Sequence, residues 1–170
     1  VAATKLKPPV MLFPKDLFLD DGQHRVELKW FGTGHTKGDA YAWLPKEKIL
    51  FTGDACVNGP HNNVNDGSIM EWIKTLELVK QLGAEKICPG HGPMAGPEIL
   101  VDQQSYFVAL LAQAKAQLDR GKTPAEIKAA LPTIAEALKQ NPRIARYVPA
   151  NLTAHLTKAC VEQGGQPLPK

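Results

Sequence analysis

The sequence predicts an α+β fold, with strands in its first half and helices in its second. Three observations carry that prediction. Between Leu17 and Thr52, short apolar runs alternate with polar residues at period two and are broken by turn residues. From Pro97 onward, apolar residues recur instead at helical spacing. Residues 48–88 join the two regimes in strand, helix, strand order, the pattern of a crossover unit.

The elements follow in order. Leu17 to Leu19 and Arg25 to Trp30 flank Asp20-Asp21-Gly22-Gln23 and predict a hairpin. In its second strand Val26, Leu28 and Trp30 share a face, and with Trp43 the tryptophans are expected in the core. Asp39 to Leu44 and Lys48 to Thr52 predict a second hairpin around Pro45-Lys46-Glu47. Ser68 caps a helix whose apolar face is Ile69, Trp72, Ile73, Leu76 and Val79, and Gly83 ends it. Lys86 to Cys88 is a short buried strand, with Cys88 as a core thiol. A long helix runs from Pro97 to about Arg120. Thr123-Pro124-Ala125-Glu126 is a capping box that opens another, and Pro132 interrupts it. A last helix is expected from about Pro149 to Gln163, with a frayed tail from Gly164.

At 170 residues the chain can bury roughly 70% of its unfolded surface in one core. The net charge of +3 is spread, with no Lys or Arg stripe, which argues against a nucleic-acid partner. No apolar stretch approaches the ~18 residues of a membrane span, so a soluble chain is expected, in the cytoplasm or the periplasm. Cys56, Cys88 and Cys160 are too few and too far apart for a disulfide framework. Cys56 lies two residues past Asp54, yet reads first as a small buried hydrophobe.

The chemistry lies in three loops. Phe31 to Asp39 reads Phe-Gly-Thr-Gly-His-Thr-Lys-Gly-Asp, Gly53-Asp54 closes a strand, and Pro89-Gly90-His91-Gly92 closes another. His35, Asp54 and His91 are each flanked by glycine, which gives a metal room to approach. Imidazole and carboxylate are ligands for zinc, and also for iron or manganese. Each loop follows a predicted strand, so adjacent strands would bring the three groups to one sheet end.

These three motifs, in this order, resemble the last three metal-binding motifs of the metallo-β-lactamase superfamily. The resemblance runs from about Leu17 to Pro93. It implies that His35 binds one of two divalent metals, probed first as zinc, that Asp54 bridges both and that His91 binds the other. Asp39 then orders its loop. Thr36 and Lys37 shape that loop as well, with Lys37 a candidate contact for an anionic substrate. Many true β-lactamases place cysteine where Asp54 stands, so the resemblance is to the glyoxalase-II-like hydrolases. The loop from Asn58 to Asn63 is the candidate pocket wall. Asn58 and His61 are its candidate substrate contacts, with His61 open between substrate, metal and solvent. His24 and His155 read as structural or surface residues.

One motif of that family, His-x-His-x-Asp-His, is absent: the five histidines are His24, His35, His61, His91 and His155. The resemblance therefore covers half of an αββα sandwich, residues 1–96, with residues 97–170 as a helical extension packed on it. Three donors divided over two metals leave each short of the three protein ligands of a catalytic zinc, so partial or no metal occupancy is expected of this chain alone. A lone half would also leave an apolar sheet face open. Three arrangements answer the shortage. The chain, which opens at Val1, is a portion of a longer hydrolase; or it pairs with a chain that supplies the motif, or with its own copy to cover the face; or it is a non-catalytic interaction domain. In the first two the substrate is a small ester, thioester, lactone or related molecule.

Overall fold

The computed structural model describes residue 5 and residues 7–169. Five strands form one sheet in chain order: β1 (Asp16–Asp20), β2 (Arg25–Lys29), β3 (Tyr41–Leu44), β4 (Ile49–Gly53) and β5 (Lys86–Pro89). The first four pair antiparallel, and β5 joins β4 in parallel through the crossover helix α1 (Ile69–Lys80). The α+β architecture is the one the sequence predicts.

Local chemistry makes these elements. In the first hairpin Asp21 accepts the backbone N–H groups of Gln23 and His24, and Gly22 takes φ +87°. Ser68 caps α1 by accepting from the N–H of Glu71. The Thr123 capping box opens α3 (Pro124–Ala129), and α4 (Leu131–Lys139) begins with Pro132 in its first turn. These follow α2 (Glu98–Leu118) and precede a 3₁₀ turn at Ala145–Tyr147 and α5 (Thr153–Glu162).

Alternation gives the sheet two different faces. The register sets Trp43, Leu50 and Ile87 side by side, and these buried residues share one apolar cluster with Trp72 and Leu76 of α1 and Phe107 and Leu110 of α2. The same cluster continues through Ile127, Ile134, Tyr147 and Leu156, so sheet and helices have a continuous core. The opposite face carries another cross-strand row, Leu17, Leu28, Ala42, Phe51 and Cys88. Among the described residues the helices pack on the Trp43–Leu50–Ile87 face instead, and in this row Phe51 is 47% exposed. The expected open apolar face is there.

Four expectations need correction. Trp30 is 37% exposed, because alternation puts it on the same face as Leu28, away from the buried Trp43 face, and its indole donates to the carbonyl of Lys37. Cys88 is half-buried on the open face, since alternation along β5 turns Ile87 inward instead. The last helix starts at Thr153 rather than Pro149, where Asn151 Oδ1 accepts the Thr153 N–H ahead of the first turn. The tail folds back: the Gly165 N–H donates to the Cys160 carbonyl and Leu168 is buried. Cys56 is fully buried, as expected. Among the described residues no helix is long and apolar enough to cross a membrane.

Candidate metal centre

The Phe31–Asp39 loop is built to hold His35 still. The Asp39 carboxylate accepts from the backbone N–H of Thr36 at 3.1 Å and from its hydroxyl at 2.6 Å. Gly34 sits against that carboxylate and the Trp72 ring, where a Cβ would meet Asp39 Oδ2 at 2.8 Å. Nδ1 of His35 lies 2.9 Å from the carbonyl oxygen of Asn63. A carbonyl only accepts, so Nδ1 carries the hydrogen and Nε2 keeps its lone pair.

That lone pair faces Asp54. Nε2 of His35 is 3.8 Å from Asp54 Oδ2, and Nε2 of His91 is 3.5 Å from Asp54 Oδ1. Asp54 follows Gly53, whose φ of +50° and local register shift swing the chain off the end of β4. His91 follows β5 and is fixed by its backbone: the Asn58 N–H donates to the His91 carbonyl, and the Asn58 amide donates to that of Pro93. Because β4 and β5 are neighbours in parallel, their loops leave the same sheet end. His35, Asp54 and His91 line one open hollow of about 420 Å³ there, within the usual size of ligand pockets.

Two ligands on a tetrahedral zinc at ~2.1 Å stand roughly 3.4 Å apart. The two imidazole–carboxylate spacings, 3.8 and 3.5 Å, fit that geometry with small adjustments. Each imidazole meets a different oxygen of the one carboxylate, so the pairs define two positions with Asp54 common to both. Among the described residues no three His, Cys, Asp or Glu side chains close on a single point. The residues present fit metal in kind and spacing, two donors to each position.

The sequence model of the metallo-beta-lactamase superfamily matches residues 3–91, ending on His91 itself. The chain belongs to the metallo-β-lactamase superfamily. It is 34% identical over 80 residues to a metallo-beta-lactamase type 2 of Bacteroides fragilis, covering 44% of this chain and 32% of that protein. To an acyl-coenzyme A thioesterase of Gallus gallus it is 33% identical over 82 residues, 45% of this chain and 29% of that one. A metallo-beta-lactamase from Pontibacter korlensis superposes with TM-score 0.56 at 25% identity, over 60% of this chain and 50% of the other. The chain thus spans about a third of these curated relatives and half of the solved structure.

This superfamily member departs from its sequence reading around the hollow. His61 and Asn63 of the polar loop line it, with the His61 ring 4.9 Å from that of His91. Asn58 does not; its hydrogen bonds go to the His91 loop, so it works as an anchor. Lys37 lines a separate, largely apolar hollow with Phe13 and Trp30. A residue the sequence reading set aside does line this hollow: His155 of α5, with Asn151 and Ala154. Burial pushes its imidazole down to about 4, so the ring is neutral at pH 7. The sequence reads His155 as a structural or surface residue of the last helix, and no signal in it set that position apart as the rim of the site.

Proposed function

We propose that this chain is the metal-binding C-terminal portion of a hydrolase that cleaves a small ester, thioester, lactone or related acyl bond with two divalent metal ions. The observation that carries this is the placement of His35 and His91 on opposite oxygens of Asp54. His35 would hold one ion, His91 the other, and Asp54 both. Bound there, such ions supply an acidified water and a Lewis acid for the acyl oxygen.

The chain's own residues would set the geometry. Asn63 holds the His35 ring in its ligating tautomer, and Asp39 braces the loop behind it. Asn58 braces the loop of His91. Relatives named as a β-lactamase and as an acyl-CoA thioesterase support an acyl substrate. Two donors per ion leave room for ligands from another segment or chain, docked on the open face around Phe51. Alone, the chain would be inactive or nearly so.

Metal analysis of the purified chain tests this. Zinc should bind, and His35→Ala or His91→Ala should each remove one of its positions. Thioester and lactone hydrolysis should appear when a segment carrying His-x-His-x-Asp-His is added. A folded chain that takes up no zinc yet binds a protein partner tightly would instead be an interaction domain.

A further inference from the structure

Of the four histidines that line the hollow, His35 and His155 have Nδ1 partners of opposite kind. His35 faces a carbonyl, whereas Nδ1 of His155 lies 2.7 Å from the phenol oxygen of Tyr106. Tyr106 is fully buried, and His155 is the phenol's one hydrogen-bond partner among the described residues. If the imidazole donated, the phenol hydrogen would have no acceptor in the core, at a cost of ~1–3 kcal/mol. The proton in that bond therefore belongs to Tyr106, and the neutral ring carries its own hydrogen on Nε2.

That Nε2–H has no partner among the described residues, and it is not among the side-chain atoms sealed in the core. His155 keeps 5% of its surface accessible, on the wall of the hollow. Asn151 lines the same hollow with its Oδ1 engaged by the Thr153 N–H, which leaves its NH₂ group to donate. A ligating imidazole needs a lone pair on Nε2, and Tyr106 denies His155 one.

We propose that His155 Nε2–H and Asn151 Nδ2–H form a neutral donor pair that holds the acyl oxygen of the substrate, or the carboxylate of the product, in the hollow that His35, Asp54 and His91 also line. Tyr106 is a positioning residue that sets the tautomer. This rests on the hydrolase reading for the chemical class of ligand and on the hollow's own geometry for the donors. Uncharged donors suit a wall that faces cations, since a lysine or arginine there would repel the metals.

The test uses the whole chain labelled with ¹⁵N-histidine. Long-range ¹H–¹⁵N correlation at pH 7 should show His155 protonated on Nε2, and Tyr106→Phe should mix the two tautomers. Acetate, as a carboxylate probe, is then titrated into the zinc-loaded chain. His155→Ala should weaken acetate by about fivefold, the worth of one neutral hydrogen bond, with bound zinc unchanged, and His155→Gln should recover part of the loss. A His155 protonated on Nδ1, zinc lost in His155→Ala, or acetate affinity unchanged in that variant would each overturn the assignment. Failure to bind zinc even after a segment carrying His-x-His-x-Asp-His is added would sink the hydrolase reading instead. The same tautomer and acetate criteria, applied to the zinc-free chain, would then judge the donor pair.

Discussion

The carboxylate of Glu162, the last residue of α5, accepts the backbone N–H of Ile69, the first residue of α1, at 2.9 Å. Its second oxygen takes the N–H of Met70, also at 2.9 Å. The first N–H groups of a helix have no partner within it, and negative charge is favoured there by the helix dipole. Glu162 therefore ties the C-terminal helix to the crossover helix of the sheet. The same helix carries His155 two turns earlier, so this tie also helps set the wall of the hollow.

Removal of that tie should be visible as stability. Hydrogen bonds to a charged group are worth roughly 1.5–3 kcal/mol each, but Ser68 still caps the helix, so Glu162→Ala should cost about 2–3 kcal/mol in all. Glu162→Gln, which keeps one acceptor oxygen, should cost less. Urea unfolding with an unchanged m-value measures both. An alanine variant as stable as the parent would show that the clamp does not hold in solution.

Gly90 governs Asp54 by space. Its N–H donates to the carbonyls of Gly53 and Cys56, and a Cβ placed on it would collide with the Asp54 carboxylate and the Gly53 backbone. Gly90→Ala should push Asp54 out of line with both imidazoles. Zinc affinity should fall about 10–100-fold, as when groups that orient ligands are lost. Gly38→Ala is the contrast: it lies in the His35 loop with open space around it, and zinc binding should not change. Equal losses in both variants would mean that general loop damage, not Asp54, was being read.

Much of this was legible in the sequence because the signals are local. Both hairpins announce themselves by period-two alternation around polar turns, and Ser68 and Thr123 cap the helices they precede. The three ligand loops are equally local, with each donor one residue from a glycine. What the sequence withheld depends on partners far along the chain. His155 is defined by Tyr106, and Cys88 by which face of the sheet the helices cover. Alternation along a strand names two faces without saying which is inside. Trp30 was misplaced for the same reason: its strand's alternation put it with Leu28 on the face left open, not with Trp43 on the covered one.

His155 should also make stability depend on pH. Its imidazole ordinarily titrates near 6.5 and is pushed down to about 4 by burial. Between those values the unfolded chain binds a proton that the folded chain refuses, so stability is full above pH 6.5 and falls as pH drops toward 4. At pH 5 the loss should be about 2 kcal/mol relative to pH 7. Urea midpoints of zinc-free wild type and His155→Gln isolate it, since every other ionisable group is common to both. Parallel pH dependence in the two proteins would place the proton elsewhere.

Cys88 reports on the open face. Cys56 and Cys160 are buried, and burial raises both thiols, whereas Cys88 lies half-buried beside Phe51 in the uncovered row. Thiolate is the reactive form, and access decides the rest. In dilute native chain a thiol reagent should therefore modify one cysteine quickly, with peptide mapping placing it at Cys88. A segment that completes the metal sites by packing on this face should slow that reaction, and so should concentration if copies of the chain pair through it. Sedimentation in parallel separates these cases, because only pairing of copies raises the mass without an added segment. Metal sites completed by an added segment while Cys88 reacted at its original rate would show that the partner approaches from the rim of the hollow and leaves the sheet face bare.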